Sequence, residues 1–316
     1  MNELIISGPC SIESLEQYES TISELIKIGI TEIRGGAWKP RTNQGQFEGL
    51  GEDALKIIKK AKEKYFFNSY VEVANREQVL LCEKYDIDCF WIGARTTGNP
   101  FSVQEIVDSI KDKNKRILIK NPINYDVKLW AGAINRFHSA GIKNVAIIFR
   151  GFNTHSNYRF NPIFSAIDEL KDEINTNIDT YIDVSHIAGK REYLSELISK
   201  AKSLGYNKFM IESHVEPNNA ITDSLQQIKP SQLIDVLSKE CLLQYERRQI
   251  DHIDYQIIKL IKERISNVQS IGRYKKTKGI EVYDEKRYID VLSKYGELKN
   301  IYEEIHSISV KIQKEL

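Results

Sequence analysis

The chain has 316 residues, of which 41% are hydrophobic and 28% charged, and its net charge is +1. That length suits a barrel with an appendage better than one small domain, and the near-neutral balance offers no field to draw nucleic acid or an anionic membrane. No apolar run approaches the ~20 residues of a membrane helix. The start, MNELIISG, has no basic stretch leading into a long apolar one, so a cytoplasmic protein is expected.

Up to about residue 235, short β-rich runs alternate with amphipathic stretches. Strands are expected at 4–7, 32–35, 68–73, 89–92, 116–120, 144–149, 180–184 and 208–212. Helices are expected at 15–28, 51–64, 76–85, 103–111, 127–140, 163–173 and 192–204. Several strands are continuous apolar runs, as strands buried on both faces must be. Eight strand–helix units predict an α/β fold, a parallel (β/α)8 barrel over residues 1–238. The alternative, a doubly wound open sheet, favours a Gly-rich first turn, and GxGxxG is absent. The four cysteines form no CxxC pair, and Cys82, Cys89 and Cys241 sit among apolar neighbours as small hydrophobes. Cys10, just past a Gly-Pro turn at the end of the first strand, is the exception.

From residue 238 the pattern changes. Ile250, Ile253, Ile257, Ile261, Ile265 and Val268 recur at helical spacing, with no Gly or Pro before Gly272, and predict one helix over 238–276. Shorter helices follow at 284–294 and 300–314, giving an all-α three-helix domain over 239–316. Three helices with one very long member cannot bury their own faces, so a homodimer through this domain, or a higher homo-oligomer, is expected.

In barrel enzymes the reacting groups gather at the C-terminal ends of the strands. Those ends deliver two chemically distinct sets here. Cys10, His186, Glu212 and Asp223 supply one sulfur, one imidazole and two carboxylates, which suits a borderline divalent transition ion such as Mn2+, Fe2+, Co2+ or Zn2+. Arg34, Lys39, Arg41, Arg95, Lys120 and Arg150 supply six cations, costly in one barrel mouth unless anions neutralise them. Phosphates and carboxylates are the natural guests. On the long helix Arg264 and Lys275 lie eleven residues, close to three whole turns, apart and so share one face, and Arg247 is a third cation seventeen residues before Arg264.

Read in order, GPCSIES, RGGAWKPRTNQGQFEGLG, IGARTTGNP, LIKNP, DVSHIAGKRE and ESHVEPNNAITD resemble 3-deoxy-D-arabino-heptulosonate 7-phosphate (DAHP) synthase, in the branch related to 3-deoxy-octulosonate 8-phosphate synthase. The resemblance implies a metal-dependent barrel, with no organic cofactor, that condenses phosphoenolpyruvate with erythrose 4-phosphate at the head of aromatic amino-acid biosynthesis. It implies that Cys10, His186, Glu212 and Asp223 hold the metal. Arg34, Lys39, Arg95, Lys120 and Arg150 would hold phosphoenolpyruvate, and Lys120 would donate a proton. Arg41 and Thr42 would hold the aldose phosphate, and Asp183 would lie near the aldose hydroxyls. KPRT favours this reading over the octulosonate synthases, which generally carry a KANR-type stretch there. The chain departs from the usual pattern at Val184, where DPSH is common, and at Asn121-Pro122, where KRG is common.

The stretch YERRQIDHIDYQIIKLIKERISNVQSIGRYKK, with IHSISVKIQ near the end, resembles the all-helical chorismate mutases. That resemblance implies an intertwined dimer converting chorismate to prephenate, with Arg247, Arg264, Lys275, Asp284, Arg287, Ser309 and Gln313 at binding positions. Lys275 and Gln313 would bond the breaking ether oxygen. Many relatives carry Glu where this chain has Tyr288, which bears on the substrate hydroxyl. The helical domain is also expected to mediate feedback inhibition of the barrel. The alternative reading is an octulosonate phosphate synthase whose helical part senses a ligand or only dimerises.

Overall fold

The computed structural model describes residues 3–41 and 45–315. Eight parallel strands close into a barrel in chain order: β1 (Leu4–Gly8), β2 (Glu32–Arg34), β3 (Asn68–Val73), β4 (Cys89–Ile92), β5 (Arg116–Lys120), β6 (Val145–Phe149), β7 (Asp179–Asp183) and β8 (Lys208–Glu212). Each lies within one residue of its expected bounds. Closure is made by β1 pairing with β8 from Leu4↔Lys208 to Gly8↔Glu212, which excludes the open sheet.

The helices begin where the sequence offers caps. Ser14, Asn75 and Asp126 accept backbone N–H bonds from Gln17, Gln78 and Leu129. The helix expected at 103–111 runs instead over Pro100–Ser109, because Asn99 caps it and proline suits the first helical position. The stretch expected at 192–204 opens with a 3-10 turn at Arg191–Tyr193 and is α-helical from Leu194.

Alternation along the strands builds two layers. One set of side chains faces the surrounding helices. The other fills the barrel with Ile6, Tyr70, Cys89, Trp91, Leu118, Ala146, Ile148, Tyr181 and Met210. At the C-terminal ends the inward positions turn polar: Arg34, Glu72, Lys120, Asp183 and Glu212, joined one step past β6 by Arg150. A two-residue period thus carries an apolar plug directly into a charged mouth.

The chain divides into two compact units, one ending at Glu246 and the other beginning at Arg247. The long helix spans Leu242–Lys278, and two more follow at Glu285–Leu292 and Lys299–Lys314. It starts four residues later than expected. Ser199 Oγ donates to Lys239 O (3.0 Å) and accepts from Cys241 N (2.9 Å), holding 239–241 off the helical path. Tyr245, buried within the first unit, stacks on Tyr158 at 5.9 Å between ring centroids.

Leu118 is fully buried in the barrel plug. Leu118→Ala is expected to lower unfolding free energy by about 2–5 kcal/mol, read from urea denaturation. An unchanged midpoint would contradict the tight filling of this layer.

Candidate active sites

Gly8 ends β1 at φ 145, and a Cβ there would meet Arg34 O at 2.1 Å, so only glycine lets the β1 and β2 ends approach. The turn that follows buries Cys10 completely. Lys39 Nζ donates to its Sγ at 2.9 Å, and Sγ lies 3.1 Å from Asp223 Oδ2. Ligand atoms of Cys10, Glu212 and Asp223 all lie within 4.8 Å of one another. His186 borders this group, its Nε2 being 3.9 Å from Glu212 Oε1. Its Nδ1 is 2.8 Å from Asp183 Oδ2, the arrangement that orients a ligating imidazole. Glu212 Oε1 accepts no hydrogen bond although buried, with Arg34 Nη2 alongside at 3.0 Å. One sulfur, one imidazole and two carboxylates around such an oxygen fit a borderline divalent cation.

The electrostatics are those of a dry, charged cavity. Burial pushes the Cys10 thiol up to about 12, with Glu212 and Asp223 adding to it and Lys39 and Arg34 opposing. An ion bound at Cys10 would therefore displace a proton. Burial alone would raise Asp183 as well, but His186, Lys120 and Arg34 hold it well below the carboxylate range. Lys120 Nζ reaches Asp183 Oδ2 at 2.9 Å, both side chains being buried. Arg34, His186 and Lys39 likewise outweigh burial and keep Glu212 low.

Above these groups opens a cleft of about 340 Å3, lined by Lys39, Arg41, Arg95, Lys120, Arg150 and Arg159, with Glu72 and Asp223 as acids. Arg34 lies buried against Trp91, its Cζ 4.9 Å from the ring centroid. Arg34 Nε and Nη1 and Arg150 Nη1 are buried with no hydrogen-bond partner. Donors left unmatched in a cavity carrying this much positive charge are complementary to an anion. Arg150 Cζ sits 3.4 Å from the Phe160 ring centroid, and burial, Arg159 and Arg95 push its guanidinium down to about 10. Asn121 accepts from Arg150 N at 2.7 Å and donates to Gly151 O at 2.9 Å, fixing the strand end that carries Arg150. Arg41 and Arg95 spend one nitrogen each on Phe47 O and Pro40 O. Thr42 lies outside the described residues.

The helical unit holds a second cleft, of about 320 Å3. Arg264, Lys275, Asp284, Arg287, Ser309 and Gln313 all line it. Arg264 donates to Ser309 Oγ, Lys275 Nζ donates to Val282 O at 2.7 Å, and Gln313 Oε1 is buried without a partner. Asn267 joins them, as do Tyr302, Tyr288 and His306, the last two with ring centroids 4.5 Å apart. Arg247 does not. Seventeen residues are about 4.7 turns, so Arg247 stands roughly 100° around the helix from Arg264 and, at 1.5 Å rise, about 26 Å along it, away from this cleft.

A profile of the DAHP synthetase I family matches residues 2–248. The chain belongs to that family. A profile of chorismate mutase type II matches residues 246–314. A phospho-2-dehydro-3-deoxyheptonate aldolase of Thermotoga maritima is 28% identical over 225 residues, covering 71% of this chain and 64% of the relative, so the match spans less than two thirds of that protein. A 2-dehydro-3-deoxyphosphooctonate aldolase of Rickettsia typhi is 25% identical over 257 residues, covering 75% of this chain and 89% of its own. The crystal structure of a Thermotoga maritima DAHP synthase superposes with a TM-score of 0.67 at 26% identity, over 77% of this chain and 69% of that one.

In this DAHP synthetase I barrel four site residues escaped the sequence reading. Glu72 accepts from Trp91 Nε1 at 2.6 Å, and inward alternation from Tyr70 would have found it. Arg159 pairs with Asp223 Oδ1 at 2.9 Å, and Gln226 and Gln227 bond Glu212 and Cys10. These three sit in loops, where no periodicity signals them.

Asp183→Asn leaves Lys120 buried beside a neutral amide and is expected to cost about 3–5 kcal/mol in urea unfolding. Because Asp183 and Glu212 titrate lower in the folded chain, their contribution is present above the ordinary carboxylate range of about pH 4 and is lost as pH falls through the folded values. Stability measured downward from neutral pH should fall less steeply in the Asp183→Asn variant, and an identical slope would remove Asp183 from the acid response.

Proposed function

We propose that this chain is a two-activity enzyme: a metal-dependent DAHP synthase barrel joined to a chorismate mutase. The observation that carries the barrel reading is the set of buried, unmatched Arg34 and Arg150 donors beside the Cys10–Glu212–Asp223 cluster. Cys10, His186, Glu212 and Asp223 would hold the divalent ion, which when bound supplies Lewis acidity toward an aldehyde oxygen. Arg34, Lys39, Arg95, Lys120, Arg150 and Arg159 receive the phosphate and carboxylate of phosphoenolpyruvate, while Arg41 takes the phosphate of erythrose 4-phosphate. Holding two mutually repelling anions in one orientation removes much of the barrier. The enol carbon then bonds to the aldehyde carbon, and Lys120 supplies the proton for the aldehyde-derived oxygen. Water adds at C2, and breaking the C2–O bond releases inorganic phosphate. Erythrose 4-phosphate and arabinose 5-phosphate offered separately should give a product chiefly with the former. Preference for the pentose would move the barrel to the octulosonate branch.

In the helical unit Arg264, Lys275 and Arg287 present cations for two carboxylates. Lys275 and Gln313 would bond the ether oxygen more strongly as its bond breaks, which is differential binding of the transition state. Ile253, Ile257 and Leu260 are 54%, 48% and 62% exposed, an apolar face that a second copy would bury, and a homodimer so formed would let Arg247 serve its partner's cleft. Full-length protein is expected to consume chorismate at an ordinary enzymatic rate, Tyr288 hydrogen-bonding the ring hydroxyl in place of a carboxylate. Binding without turnover would leave the unit a sensor.

We also propose that prephenate or chorismate in this cleft restrains the barrel. Support comes from Tyr245, on the helix that continues into the mutase unit, stacked on Tyr158 next to Arg159, the partner of Asp223. Prephenate should lower synthase activity in the intact chain and do so less in Tyr245→Ala. Synthase activity indifferent to prephenate would end this reading.

A further inference from the structure

The β8 end and the loop behind it place two adjacent glutamines against two different ligands of the metal site. Ile228 N returns to Glu212 O at 3.1 Å, and His214 N bonds Ile228 O at 2.9 Å, so the excursion from Ser213 to Gln227 closes on the strand end it left. Gln226 and Gln227, immediately before that closure, are 1% and 0% exposed. Gln226 Nε2 donates to Glu212 Oε2 at 2.6 Å, and its Oε1 accepts from Arg159 Nη1 at 2.8 Å. Gln227 Oε1 accepts from Cys10 N at 2.9 Å, and its Nε2 donates to Thr222 O at 2.8 Å, one residue before Asp223.

An amide has a donor end and an acceptor end, so each side chain can make its two bonds in only one sense. Gln226 engages Oε2 of Glu212 and leaves Oε1 without a hydrogen bond. Gln227 spans from the Cys10 backbone to the turn that delivers Asp223, across two loops far apart in sequence. Asp223 itself stands at φ 47, a left-handed conformation uncommon for a non-glycine residue, so its turn needs outside support. Ser11 Oγ and Thr222 Oγ1, 2.6 Å apart and buried, make a second tie between the same loops.

We propose that Gln226 and Gln227 are positioning residues for the metal centre, Gln226 turning the Glu212 carboxylate and Gln227 setting the distance between Cys10 and Asp223. This rests on the metal reading above. Outer partners of this kind typically change metal affinity about 10- to 100-fold.

The test uses full-length protein and Co2+, whose bond to a cysteine thiolate gives a near-ultraviolet charge-transfer band. Affinity is read by competition with a chelator, folding by circular dichroism. Wild type should show the band, and Cys10→Ser should lack it; a wild type without the band refutes the metal reading itself. Given that band, Gln226→Met and Gln227→Met are each expected to bind Co2+ about 10- to 100-fold more weakly. Gln227→Met should also shift the band. Gln227→Glu keeps the acceptor for Cys10 N and should retain the band position with a smaller loss of affinity. Folded Met variants with unchanged affinity and spectrum would overturn the proposal. So would failure of all three variants to fold, which would make the pair an element of the fold.

Discussion

Everything in the barrel mouth follows from the requirement that buried charge be matched. Lys120, Asp183, His186, Glu212 and Arg34 form an almost continuous chain in which His186, whose pKa burial lowers, stands between two ion pairs, Lys120–Asp183 at 2.9 Å and Arg34–Glu212 at 3.0 Å. None could be buried alone, since an isolated charge in a dry interior costs several kcal/mol even after relaxation. The closed barrel makes the chain possible. Six of the eight strands deliver a charged inward residue to the same ring, and an apolar plug lies below it.

The matching is incomplete, and the remainder defines the chemistry. On the basic side, Arg34 and Arg150 keep buried nitrogens without partners. On the acidic side, Cys10, Glu212 and Asp223 bring a sulfur and two carboxylates within 4.8 Å of one another. An anion answers the first deficit and a divalent cation the second. Both deficits in one site are what the proposed condensation of an anionic carbon donor with a polarised carbonyl would use.

Much of this was legible in the sequence because it lies on strands. Short β-rich and often continuously apolar runs placed the eight strands to within a residue, and their C-terminal ends pointed to Arg34, Lys120, Asp183 and Glu212. Cys10 stood out because a thiol past a Gly-Pro turn has no reason of packing to be there. Loop residues were another matter. Arg159, Gln226 and Gln227 reach the site through hydrogen bonds between segments far apart in the chain, which no local pattern encodes. The break at 239–241 escaped for the same reason, since it is set by Ser199 rather than by local propensity. On the long helix, Arg264 and Lys275 lie close to three turns apart and share the cleft, whereas Arg247 is both about 100° around the axis and about 26 Å along it from Arg264.

The two clefts solve related problems with different means. In the helical unit the cleft's cations come from two helices, the third supplies Ser309 and Gln313, and Gln313 Oε1 remains without a partner, with no cluster of metal-ligating side chains there among the described residues. The barrel concentrates charge around the donor set proposed to hold an ion. The measurement that tests this account most directly is phosphate release from phosphoenolpyruvate and erythrose 4-phosphate, before chelation, after chelation and after restoring Mn2+, Co2+ or Zn2+. The account predicts release that vanishes with chelation and returns with the ion. Release that is indifferent to chelation, or absent with every ion, would contradict it.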